Sequence, residues 1–189
     1  MIKGFFRLKG LQNILRRRIT MNFTKHQKNK FMENNPTPHP LLCWDIVLEG
    51  IERRKQLKKD LEALQNIMYR NEWKEVRAAF QEALIWEDKT IIVTDTQLNI
   101  IHATENLHTM NGYWPHEVIG QRPTLFQGPA TSLDTRKAIK MAIDALQPFQ
   151  TSLVNYRKNG SIYTCHIEGF PIFNQSGRLV NFMAIEKAA

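Results

Sequence analysis

The chain has 189 residues, 42% of them hydrophobic, enough to bury one core and carry extensions but short for two full domains. Its net charge of +8 is gathered at one end: residues 1–30 hold nine Lys/Arg and no acidic residue, leaving 17 basic residues against all 18 acidic ones elsewhere, so the remainder has no excess charge to offer a nucleic acid. No apolar run approaches the roughly 18 to 20 residues that span a bilayer, and Cys43 and Cys165, far apart and without CxxC spacing, suggest neither a disulfide framework nor a thiolate zinc site; a cytoplasmic protein is expected.

Residues 1–30 mix Phe5, Phe6, Leu8, Leu11, Ile14 and Leu15 with basic residues in a weakly helical spacing. A membrane-surface helix, a nucleic-acid arm and a start placed too early are all open readings; the last is preferred because Met21 and Met32 are available as starts. Residues 33–40 (ENNPTPHP) read as a linker, since each proline biases its predecessor out of helical geometry. Residues 1–40 are therefore expected to form a disordered basic extension with a Pro-rich end. From Leu41 to about Tyr69, apolar residues recur at helical intervals: Trp44, Val47 and Ile51, then Leu57, Leu61, Leu64 and Met68. The phase slips across Glu52, Arg53, Arg54 and Lys55, which breaks any clean heptad. A second helix is expected after Asn71, a candidate N-cap, running through Trp73, Val76, Phe80 and Leu84. Residues 41–84 thus form a candidate dimerisation and signalling segment whose contacts are Trp44, Leu57, Leu61, Leu64 and Trp73. Packing of the same stripe on the chain's own domain is the competing reading.

From Lys89 the period becomes strand-like. Thr90–Thr94 is β-branched, Asp95-Thr96-Gln97 supplies a turn and Leu98–Ala103 alternates again, which predicts a hairpin. Short helical pieces follow at Glu105–Met110 and Pro115–Ile119. A clear helix starts after a cap at Thr131 or Ser132, reaches Leu146 and is stopped by Pro148. Three strands close the chain, 149–156, 162–173 and 179–185, joined by Asn-Gly and Ser-Gly turns. The order predicts an α+β fold over residues 85–189: a five-stranded antiparallel sheet with helices on one face, preceded by the N-terminal helices.

Several stretches carry a recognisable pattern: Ile92-Val93-Thr94-Asp95 to Ile100-Ile101-His102-Ala103, Met110-Asn111-Gly112-Tyr113, Glu117-Val118-Ile119-Gly120, Leu125-Phe126-Gln127-Gly128-Pro129, Asn155-Tyr156-Arg157-Lys158-Asn159-Gly160 and Gly169-Phe170-Pro171-Ile172. Together they resemble the PAS family, in particular its light-oxygen-voltage-like branch, over about the last hundred residues. The resemblance implies a curved sheet and short helices enclosing a mainly apolar pocket. In photosensory members it implies a cysteine that attacks a flavin. Aligned on Gly120 and on Gln127-Gly128, that position here is Pro123.

The groups that would meet a flavin edge fall on Gln127, Asn155, Cys165 and Glu186. The two amides match, whereas a thiol is a weak donor and a carboxylate donates nothing. Haem-binding members present a histidine from the main helix, and residues 132–147 contain none; His102, His108, His116 and His166 lie elsewhere. The four residues define a candidate pocket in which no cofactor, neither flavin nor haem, is expected. The chain lacks GxSxG, GxxxxGK[ST], GxGxxG and HExxH motifs and is not expected to be an enzyme. The expected function is that of a stand-alone, non-catalytic PAS sensory and interaction module, acting as a homodimer that contacts a signalling partner. The alternative is a sensor of a small-molecule ligand or cofactor; neither nucleic acid nor membrane is an expected partner.

Overall fold

The computed structural model describes residues 40–74, 77–85 and 87–189. All but the last residue of the expected basic extension lies outside that range, as does the side chain of Trp44. The chain divides into two units, Met1–Glu49 and Gly50–Ala189.

Helix α1 runs over Pro40–Arg70, as the three- and four-residue spacing predicts. It stops where Glu72 takes a positive φ of 50° and Trp73 leaves helical geometry to form a single β-bridge with Asn174. The second helix, α2, therefore begins only at Arg77 and ends at Ile85, and Asn71 caps nothing: its side-chain amide donates to Asn181 Oδ1 at 3.0 Å. No helix among the described residues is long and apolar enough to cross a membrane.

Strands β1 (Thr90–Thr94) and β2 (Ile100–Ala103) form the predicted hairpin. The second strand starts two residues later than expected because Leu98 adopts φ 67° and the Asp95 carboxylate accepts the N–H groups of Gln97 and Asn99, each at 2.8 Å, which closes the turn first. Then follow α3 (Leu107–Asn111), α4 (Pro115–Val118), a 3-10 turn at Pro123–Phe126 and α5 (Leu133–Asp144). Strands β3 (Phe149–Tyr156), β4 (Ile162–Phe173) and β5 (Leu179–Ala188) complete an antiparallel sheet of order β2-β1-β5-β4-β3. The last strand thus lies at the centre, hydrogen-bonded to the first.

Alternation along the strands sends apolar residues to two faces, and both are covered. Ile91, Val93, Ile172, Met183 and Ile185 pack with Leu64, Trp73, Phe80, Ala83 and Leu84. On the other side Ile92, Ile100, Tyr163 and Cys165 pack with Leu107, Met110, Val118 and Phe126. The domain's own helices cover one face, as expected, and the preceding helices α1 and α2 cover the other. Four of the residues expected to make dimer contacts pack within the chain itself: Leu64 is 0% and Trp73 5% exposed, and Leu57 and Leu61 pack against the cluster those two belong to. An apolar stripe of period 3.6 marks a face that must be buried, and the chain's own sheet buries it.

Candidate functional site

Helix α5 is amphipathic and N-capped by Ser132, whose hydroxyl accepts the Thr135 N–H at 3.3 Å, yet none of its residues is buried. The reason lies beneath it. Ile139 and Ile143 stand over a cavity of about 100 Å³ closed by Pro123 and Phe126 of the 3-10 turn, by Gln127, and by side chains of the sheet. The wall is largely aliphatic and aromatic, with Ile92, Phe149, Leu153, Ile167, Phe170 and Phe182 contributing. Gly169 shapes it: a Cβ there would land on the Phe149 ring, so the absent side chain leaves the aromatic ring its place.

Four polar residues interrupt this wall: Thr94, Gln127, Asn155 and Glu186. Thr94 Oγ1, Gln127 Oε1 and Asn155 Oδ1 are buried without a hydrogen-bond partner among the described residues. Glu186 sits at the middle of the sheet, paired in register with Thr90 on β1 and Ile167 on β4. It is 3% exposed, and burial pushes its carboxyl up to about 7 despite the thiol of Cys165, which donates to Oε2 at 3.6 Å. Burial, followed by the nearby Glu186 charge, holds the Cys165 thiol strongly toward its neutral form. Burial likewise raises the Tyr163 phenol, and the side-chain amides of Asn111 and Asn155 beside it act in the opposite sense.

Of the candidate pocket residues, the structure brings Gln127, Asn155 and Glu186 to the cavity wall. Cys165 is placed differently: fully buried, it supports Glu186 from the neighbouring strand and does not line the cavity. Pro123 does line it. Thr94 was missed, because a threonine in a β-branched run reads only as a strand former. Asn111, whose Nδ2 is buried without a partner among the described residues, entered the sequence reading only within the Met110–Tyr113 pattern. No histidine lines the cavity.

Sheet order, helix placement and cavity are those of a PAS domain, and the comparison with family models agrees: the PAS domain model matches residues 88–187. The chain belongs to the PAS domain family. Among curated proteins it is similar to phototropin-2 of Oryza sativa subsp. japonica, 31% identical over 114 residues, covering 59% of this chain and 13% of that protein. It is 34% identical over 110 residues to the Protein TWIN LOV 1 of Arabidopsis thaliana, covering 56% and 28% respectively. The chain thus spans less than a third of the length of these relatives. A solved light-oxygen-voltage domain, from work with a flavin analogue, superposes with a TM-score of 0.55 at 22% identity, covering 59% of this chain and 84% of that one. The chain carries a light-oxygen-voltage-like PAS sensory module of the kind used in signalling.

Proposed function

We propose that this module senses a small molecule held between α5 and the sheet and passes its state on by protein contact, without catalysis. The carrying observation is the unfilled cavity, lined by Thr94, Gln127 and Asn155, whose side-chain oxygens are buried without a hydrogen-bond partner among the described residues. Buried polar groups are normally hydrogen-bonded, so partnerless ones around a void favour an absent partner. A hydrophobic cavity of about 150 Å³ takes a benzene ring, so a cavity of about 100 Å³ is far too small for a three-ring flavin and supports a ligand no larger than a small single ring. Pro123 on the wall offers no thiol for a flavin adduct, and the wall has no histidine to reach a haem iron. The residues present therefore fit neither group.

The test is a native mass spectrum with an absorbance spectrum of the protein purified from its own host. A stoichiometric colourless small molecule is expected. A bound flavin or haem would overturn the choice of ligand, and a ligand-free protein whose cavity admits no small molecule would overturn the sensor reading.

A second reading, homodimerisation and partner contact, rests on the part of α1 before Gly50. Ile46, Val47 and Leu48 form a consecutive apolar run that is 70%, 48% and 54% exposed. Light scattering of the full chain, with and without charge substitutions in that run, tests it. A monomer at high concentration would remove the dimer.

A further inference from the structure

The strand order leaves two edges, β2 and β3. An edge offers main-chain donors and acceptors to another chain unless something covers it. The β2 edge is covered: Ile100 donates to the carbonyl of Gln121 and accepts from the N–H of Gly120, each at 2.8 Å, and the strand is only four residues long. Strand β3 has eight residues, pairs with β4 without a register shift, and reads Phe-Gln-Thr-Ser-Leu-Val-Asn-Tyr, with no charge, proline or glycine inside it.

The ladder fixes which groups of β3 turn outward, because alternate residues of an antiparallel pair bond the neighbouring strand and those between them turn away. The Arg157 N–H donates to the Ser161 carbonyl at 2.8 Å, one step beyond the Tyr156–Ile162 pair, so the odd-numbered residues bond β4 and the even-numbered ones turn out. The Thr131 hydroxyl gives the same parity from the other side, donating to the outward carbonyl of Val154 at 2.6 Å. Its loop also covers Tyr156, whose hydroxyl accepts the Ala130 N–H at 2.9 Å. Pro148, the outward position before the strand, has no N–H. Between these two limits stand Gln150 and Ser152, both exposed, with no hydrogen bond to their main-chain groups among the described residues.

We propose that this free stretch pairs with itself, joining two copies of the chain antiparallel along β3 about a two-fold axis at Thr151. Gln150 of each copy then faces Ser152 of the other, and the two pairs exchange four hydrogen bonds that use every free group of both residues. The next pair would be Pro148 with Val154, which cannot exchange bonds, since proline has no donor and Thr131 holds the Val154 carbonyl. The open segment thus ends where the symmetric pairing must end. No like charges meet across the axis, because the strand carries none. So short a ladder makes a weak, concentration-dependent pair. The contact uses neither the cavity nor the Ile46–Leu48 run, and it stands without either reading.

The experiment uses the full chain, with mass by light scattering and amide hydrogen exchange by NMR over a range of concentration. The expected mass rises toward twice the 22.1 kDa of one chain. Over the same range the Gln150 and Ser152 amides should slow by about tenfold, while Thr151 and Leu153, already bonded to β4, keep their rates. Gln150→Lys with Ser152→Lys sets lysine against lysine across the axis on two exposed side chains and should hold the mass at one chain; Gln150→Glu with Ser152→Glu should do the same, and an equal mixture of the two proteins should restore the pair. A monomer at every concentration overturns the proposal. So does a dimer that survives the lysine substitutions or leaves the two amides fast, which would move the contact elsewhere. Protection of both amides in a monomer would show that the chain covers this edge itself and overturns the proposal as well.

Discussion

The indole N–H of Trp73 donates to Oδ1 of Asn181 at 2.8 Å in the interior of the outer face. The same oxygen accepts from Asn71 Nδ2 at 3.0 Å, and Asn181 Nδ2 donates to the carbonyl of Thr94 at 2.9 Å. One buried amide therefore ties the α1–α2 connection to β5 and to the end of β1, the strand that also carries Thr94 to the cavity.

Replacing this amide by an isosteric apolar group leaves the indole N–H and the Thr94 carbonyl without partners. Asn181→Leu is expected to destabilise the fold by about 1 to 3 kcal/mol. Trp73→Phe removes the same bond from the other side, so the double variant should cost less than the two singles together. Urea unfolding of the three proteins checks both points.

Glu186 makes stability pH-dependent in a defined direction. Its folded carboxyl titrates at about 7, above the ordinary 4.5, so the folded state keeps a proton that the unfolded chain has already released. The contribution is complete below 4.5 and is lost as pH rises through 7. Between pH 5 and pH 8 the loss through this group is expected to be about 2 to 3 kcal/mol. Asp60, also pushed up by burial, to about 6, adds in the same sense. Urea midpoints at both pH values should show a smaller fall in Glu186→Gln than in the parent protein; an equal fall would mean that the carboxyl does not titrate there.

A methyl group at residue 169 collides with the ring of Phe149 across the cavity wall. Gly169→Ala is expected to cost about 1 to 3 kcal/mol by overpacking, and Phe149→Leu in the same chain should recover part of it. Thermal unfolding of the single and double variants reads the coupling. Additive effects would show that the ring moves aside freely.

Leu64 is wholly enclosed by its own chain. Leu64→Ala should lower stability by about 2 to 5 kcal/mol with no change in mass by light scattering at matched folded concentration. Dissociation of a dimer without loss of stability would reverse the assignment of that helix face.

Much of this fold was legible because its signals are local. Period-2 runs marked the five strands, Asn159-Gly160 and Ser176-Gly177 marked the turns, and Ser132 and Pro148 bounded α5. The errors arose where a long-range contact outweighed a local preference. Asn71 read as a cap, but its amide is taken by Asn181, 110 residues away. Trp73 read as helical, but it bridges to Asn174. Gln127, Asn155 and Glu186 were found through a pattern of residues, whereas Thr94 carried no signal of its own and became a cavity residue only when β1 met β5.

The amino-acid sequence by itself determined the element types, the order of strands and helices, and which faces had to be buried, because these follow from spacing and side-chain chemistry along one stretch of chain. It also determined that a proline stands at residue 123 and a carboxylate at residue 186. Tertiary structure alone decided that α1 and α2 spend their apolar stripe on the sheet, that Cys165 supports Glu186 without lining the cavity, and that α5 stands off from the strands over an unfilled space. Those outcomes depend on how residues far apart in the chain compete for the same volume, and packing settles that competition only when all the elements are in place.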